Sequence, residues 1–345
     1  LTPGVHGRSR IRKKLLLAVM AALVCGVFGC TQMRDFAAPE LNVGGEWRDL
    51  LVDLRVFEAQ IGFRPTRNFL ALASEQKAFP FCGRASRLHL PWSYEDPAIE
   101  WRDAASEEQC REDAEGLDVF YGSTEALGEV GSPVTPAMLT GRFDRFVYLV
   151  IHEDCHDQFN LPFGIEEALC DAITYRAMAA FAAEKFRWYS PENRAVRSYA
   201  ASQSKAARVT IEQYERLAAL YARYGRREVS EAVLLRERAA LFVQAERALA
   251  IGPGLMNNVV LANHMTYSRH YPFLDTVFEA YGGELAPAIA FFKRADAAKP
   301  GREEVLERRA IAEPKSVEAI RAYEEAVLES IAARLAAERP QRTRN

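Results

Sequence analysis

The sequence predicts a mainly helical fold of the α+β kind: a pair of metal-binding helices, a small mixed strand region before them, and a long helical hairpin after them. Three observations carry this. Phe146-Val147-Tyr148-Leu149-Val150-Ile151 is an unbroken apolar run that leads straight into His152-Glu153-Asp154-Cys155-His156, an H-E-x-x-H pentad. From about Ala168 to Ala250 the chain is dominated by Ala, Leu, Arg and Glu, with apolar residues three and four apart, as in Ile211, Tyr214, Leu217, Ala218 and Tyr221. Between Leu50 and Thr140 the texture is instead mixed, with short alternating stretches of the kind that form strands.

Residues 1–29 read as an export signal. Arg8, Arg10, Arg12, Lys13 and Lys14 precede an apolar stretch from Leu15 to Phe28, whose 14 residues are too few to span a bilayer as a helix. The stretch closes on Val27-Phe28-Gly29-Cys30, which resembles a bacterial lipobox, so Cys30 is the expected lipidation site and new N-terminus. The expected location is the cell envelope, as a lipoprotein on the periplasmic side of the outer membrane. Removing the signal takes five of the 44 basic residues, leaving 39 against 47 acidic ones, a net charge of −8. Such a surface is a poor partner for nucleic acid.

Thr31 to Trp47, with Pro39 and Gly44-Gly45, reads as a tether, and residues 30–50 are assigned to it. The remainder, 51–345, is expected to form one domain with a mixed part over 51–140 and a helical part over 141–345. Leu51 to Ile61 has helical spacing, whereas Arg87-Leu88-His89-Leu90 and Leu117-Asp118-Val119-Phe120-Tyr121 alternate like strands. Gly122 to Pro136 is rich in Gly, Ser, Thr and Pro and should be a loop feeding the metal helix. Gly225 breaks the long helical stretch and Gly252-Pro253-Gly254 ends it. Val317 to Ala337 forms a last amphipathic helix, followed by basic residues at Arg339, Arg342 and Arg344.

Two histidines four apart lie about 6 Å from each other along a helix axis, so His152 and His156 can reach one ion. Glu153 lies beside them, where it can hold a water and take its proton as that water attacks a carbonyl. A turn around Pro162 and Gly164 should send a second helix back from near Ile165, bringing Glu166 or Glu167 to the metal. Asp171 is four residues from Glu167 and shares its face, and a carboxylate beside a ligating histidine is the usual orienter of the ring. The expected ligands are therefore His152, His156 and Glu167, with Asp171 holding an imidazole. Asp154 and Asp157 are expected on the solvent side of the first helix. Four cysteines remain after Cys30. Cys82–Cys110 is one candidate bridge; Cys155 and Cys170 permit a second but read better as small buried residues.

His152-Glu-x-x-His156 followed by Glu167-Ala168-Leu169-Cys170-Asp171 resembles the gluzincin class of zinc peptidases, thermolysin-like in its Glu-Ala-x-x-Asp. A bacterial family of predicted aminopeptidases is more similar still. It shares, in order, Gly116 to Val119, the pentad, Leu217 to Tyr221, the Asn257-Asn258…Leu261-Ala262…Tyr267 segment and Gly282-Gly283-Glu284. The chain departs from it at Asp154, Cys155 and Glu166. The resemblance implies a zincin-like fold, a Zn2+ cofactor and hydrolysis of peptide substrates in the envelope. It also implies a downstream hydroxyl or imidazole for the developing oxyanion, expected at Tyr267, with His264 and His270 as the other candidates. Asn257 and Asn258 read better as a helix cap. The competing expectation is a noncatalytic lipoprotein that keeps the metal fold as a scaffold; Glu153, which a structural site does not need, favours the enzyme.

Overall fold

A computed structural model describes residues 46–73, 78–126, 128 and 131–338. The signal, Cys30, most of the tether and the basic tail lie outside these residues. The first described helix, α1 (Glu46–Gln60), starts inside the stretch read as tether, because Trp47, Leu50 and Leu54 already pack into the core there. A three-stranded antiparallel sheet follows, made of β1 (Phe79–Ser86), β2 (Glu100–Arg102) and β3 (Leu117–Thr124) in the order β2-β1-β3. Cys82 pairs across the sheet with Arg102 and Tyr121. It is bonded as a disulfide to Cys110 on the short helix α2 (Glu107–Arg111).

The strand expected at Leu117 is there. The one expected at Arg87–Leu90 is not: β1 ends at Ser86. The alternation misleads because those residues do not join the ladder. The Arg87 carbonyl accepts instead from Arg238 and Tyr221, and the His89 carbonyl from Asn258.

The rest of the described chain is helical. A single turn, α3 (Pro136–Thr140), leads into α4 (Phe143–His156) and α5 (Phe163–Lys185). All 14 residues of α4 are buried, its polar side chains, among them Asp144, Arg145 and Asp154, included. Each large apolar side chain so buried contributes about 2 kcal/mol. α5 packs against α4 and also meets α6 (Pro191–Gly225), α8 (Asn258–Ser268), α9 (Tyr271–Ala280) and α10 (Leu285–Ala297). Its first turn carries Gly164, where a Cβ would lie 2.5 Å from Glu324 Oε1. A glycine there lets that carboxylate, carried by α12 (Val317–Glu338), reach the positive end of α5.

The helical hairpin is α6 with α7 (Glu231–Leu249), broken after Gly225 as the sequence indicates. Ser190 and Ser230 cap the two helices, each accepting a backbone N–H from three residues on. A short α11 (Arg302–Arg308) packs on α12. Two large apolar clusters result. One surrounds α4 and α5 and draws in Leu54, Phe278, Phe292 and Val327. The other joins the sheet to α6, α7 and α8 through Phe81, Phe120, Leu217, Phe242 and Leu261. Since α8 packs on α5, α6 and the sheet alike, it places the second cluster beside the H-E-x-x-H helix.

Candidate metal centre

His152 and His156 project from α4 one turn apart, and Glu167 faces them from the first turns of α5. Their Nε2 atoms are 3.3 Å apart, and each lies 3.4 Å from Glu167 Oε2. Ligands about 2.0–2.1 Å from a tetrahedral zinc stand about 3.3–3.4 Å from one another, so this triangle matches one face of such a tetrahedron. Both Glu167 oxygens are buried without a hydrogen-bond partner. Buried polar atoms rarely stay unpaired, and a carboxylate aimed between two imidazoles is suited to a cation. Together the three side chains form a buried group able to hold a metal ion.

The opposite edge of each ring is held by a carboxylate. His152 Nδ1 is 3.2 Å from Asp171 Oδ1, as the shared face of Glu167 and Asp171 implies. Asp171 is itself fixed by the hydroxyls of Tyr148 and Tyr175, which donate to it at 2.8 and 2.7 Å. His156 Nδ1 is 3.0 Å from Glu166 Oε1, and Glu166 Oε2 accepts the Leu161 N–H at 2.8 Å. The sequence offers Glu166 only as the alternative to Glu167; the signal for its place beside His156 is a second carboxylate directly adjacent to Glu167. With Nδ1–H directed at a carboxylate, each neutral ring turns the lone pair of Nε2 toward Glu167.

Burial alone would lower the His152 pKa, but the carboxylates of Asp171 and Glu167 beside the ring outweigh it and hold it up at about 9. Burial works against His156 in the same way, and Glu167 and Glu166 raise it well above its ordinary value. Glu167 would be raised by burial, yet the imidazoles, His156 foremost, hold it low. The site thus demands positive charge, and without an ion protons supply it.

Glu153 is buried beside the triangle. Its Oε2 accepts the Gly128 N–H, while Oε1 has no partner. Only glycine fits at 128, because a Cβ there would lie 2.9 Å from both the carbonyl oxygen and Oε2 of Glu153. Burial raises the Glu153 pKa, with the two histidine charges opposing.

Three side chains bear on the oxyanion question. The Tyr267 ring stands 6.3 Å from the His152 ring, centre to centre. His264 keeps a partly exposed edge, but its Nε2 is buried without a partner and burial pushes its pKa down to about 4. Tyr94, which the sequence did not single out, has a buried hydroxyl with no partner. Its pKa is raised by burial first, then by the charges of Glu167 and Glu95. His270 pairs instead with Glu324, at 3.2 Å. Asn257 caps α8, its Oδ1 accepting the N–H groups of Val259 and Val260 at 3.0 Å. Asn258 bonds the His89 carbonyl and the Tyr221 hydroxyl, so both asparagines serve structure.

The solvent-facing position expected for Asp154 is overturned. Asp154 is fully buried, while Asp157 is half-buried. α1 covers that side of α4 and supplies Arg55 as an ion pair to Asp154, with further hydrogen bonds from Thr66 Oγ1 at 2.6 Å and Asn68 Nδ2 at 3.1 Å. Asn68 also donates to the Glu153 carbonyl at 3.1 Å. Cys155 and Cys170 are free and buried, and Cys170 Sγ lies 4.0 Å from His156 Nδ1.

No family model, curated protein or solved structure matches the chain.

Proposed function

We propose that the chain is a zinc-dependent peptidase of the bacterial cell envelope, aminopeptidase-like, with a zincin-like helix pair at its centre. The observation that carries this is the triangle of two Nε2 atoms and one carboxylate oxygen with edges of 3.3–3.4 Å. Two imidazoles and a carboxylate, each imidazole backed by an anion, are a donor set suited to zinc. Zinc held there would supply a Lewis acid that polarises a peptide carbonyl and brings the pKa of a water down to about 7.

The protein's own groups do the rest. Glu153 Oε1 is the free carboxylate oxygen able to take the proton of an attacking water and pass it to the leaving amine. Gly128 holds the other oxygen and so fixes the plane of that carboxylate. Asp171 and Glu166 keep both imidazoles in the tautomer that leaves Nε2 free. Tyr267 is the proposed donor to the developing oxyanion, with the unpartnered hydroxyl of Tyr94 as the alternative.

Depth favours a second reading. None of His152, Glu153, His156 and Glu167 is more than 6% exposed, which suits a structural metal in a noncatalytic scaffold. One experiment separates the possibilities: metal content of the purified protein beside turnover of a mixed peptide library. The proposal expects one zinc per chain, lost in His156→Ala, together with cleavage. A full equivalent of metal in His156→Ala would sink the ligand set; zinc without any cleavage would leave the scaffold.

A further inference from the structure

Eight large apolar side chains are exposed among the described residues, and six of them lie on α1 or on two segments joined to it. Val52 and Val56 lie on the helix itself. Trp188 and Tyr189 form the turn between α5 and α6, and Leu70 and Leu72 lie on the segment after Phe69. Tyr189 is 82% exposed and Leu70 76%, well beyond what a core residue at its margin shows.

Two contacts bring these groups onto one face. Lys185, just before the Trp188 turn, lies 2.5 Å from Asp53 of α1. Arg55 of α1 donates to the Asn68 carbonyl at 2.7 Å, just before Leu70. At about 100° per residue, Asp53, Val56, Val52 and Arg55 follow one another round the helix. The two valines therefore occupy the strip between the aromatic turn and the Leu70 segment.

The charges on this face differ from those of the protein as a whole. Around the turn stand Lys185, Arg187, Arg194 and Arg197 against Glu184 and Glu192, and α1 carries Arg48 and Arg55 against Glu46, Asp49, Asp53 and Glu58, so turn and helix together balance at six basic to six acidic groups in a mature chain expected to carry −8. Arg197 lies over the Trp188 ring, 4.0 Å from its centre. Exposed Trp and Tyr beside arginines, with aliphatic side chains alongside, suit the headgroup region of an anionic bilayer. The chain enters α1 from the N-terminal segment. Fifteen residues separate Cys30 from Glu46, and fully extended they reach no more than about 50 Å.

We propose that this face, α1 with the Trp188 turn and the Leu70 segment, lies against an anionic lipid bilayer. The tether's hold depends on lipidation at Cys30; the face does not. An N-terminal lipid fixes the distance to the membrane but not the orientation, and a second contact would fix both.

The test uses the mature full-length protein in phosphatidylethanolamine–phosphatidylglycerol vesicles whose acyl chains are brominated. Bromine quenches only tryptophans that enter the bilayer. Of the four in the chain, Trp47 is buried, Trp92 and Trp101 are half-buried, and only Trp188 is exposed. The expected result is quenching that Trp188→Phe abolishes and that Arg187→Glu with Arg194→Glu weakens. Vesicle flotation reads the anchor separately. Flotation without quenching, or quenching that survives in Trp188→Phe, overturns the proposed face. Quenching by a chain that mass spectrometry shows to be unlipidated supports the face and overturns the anchor. A change of oligomeric state in Trp188→Phe with no quenching assigns the face to a second copy and overturns the proposal.

Discussion

Glu153 divides its carboxylate between two tasks: Oε2 is tied to the Gly128 N–H and Oε1 is left free. Glu153→Gln keeps the shape and a carbonyl oxygen for that bond but removes the base. Zinc content should stay at one per chain while turnover falls by about a thousandfold. Near-normal turnover in that variant would remove Glu153 from the chemistry. The oxyanion donor separates by a paired comparison. Tyr267→Phe should lower the catalytic rate by about a hundredfold with fold and zinc retained, and Tyr94→Phe should do so only if the donor is Tyr94. Unchanged kinetics in both would move attention to His264. The group able to hold an ion was legible because H-E-x-x-H fixes its own geometry within a single helix, and because Asp171 chose between Glu166 and Glu167 by periodicity. Glu166 and Tyr94 were not. The role of Glu166 depends on how one side chain turns back toward His156, and Tyr94 is brought in by a loop whose backbone N–H bonds Thr266 on α8.

At the scale of elements, helices were read more accurately than strands. The breaks at Gly225 and Gly254 and the final helix follow from local chemistry. Strand β1 does not, because its neighbours β2 and β3 are distant in sequence and the alternating residues just after it satisfy their carbonyls on α6, α7 and α8. The back of α4 was misread for a related reason: a charged residue in a helix usually marks solvent, but Asp154 meets Arg55 from α1. The sheet depends on its disulfide. Cys82 and Cys110 are 28 residues apart, and a cross-link of that span stabilises by about 3–4 kcal/mol in the chain-entropy account. Replacing both by alanine should lower stability by about that amount, read as an earlier midpoint in urea unfolding. An unchanged midpoint would mean that the sheet holds through its packing on α8 alone.

For the molecule as a whole, stability should depend on Glu95. Burial, then the charges of Glu324 and Glu167, push its pKa up to about 7 from an ordinary 4.5, with Arg302 opposing. The fold therefore binds this proton more tightly than the unfolded chain does. The stability gained is full below pH 4.5 and is lost as pH rises toward 7. Glu95→Gln should leave the melting temperature unchanged at the acid end of that window and raise it above pH 7. Equal melting curves across the range would contradict this. The complete burial of α4 has a further consequence, for exchange rates. Its two histidines cannot be reached by fraying one end of a helix, because α1, α5 and α6 all pack against it. On the scaffold reading, a bound ion could leave only when a cooperative unit of the fold opens. Its residence time would then be set by the frequency of that opening rather than by the strength of whatever competitor waits outside.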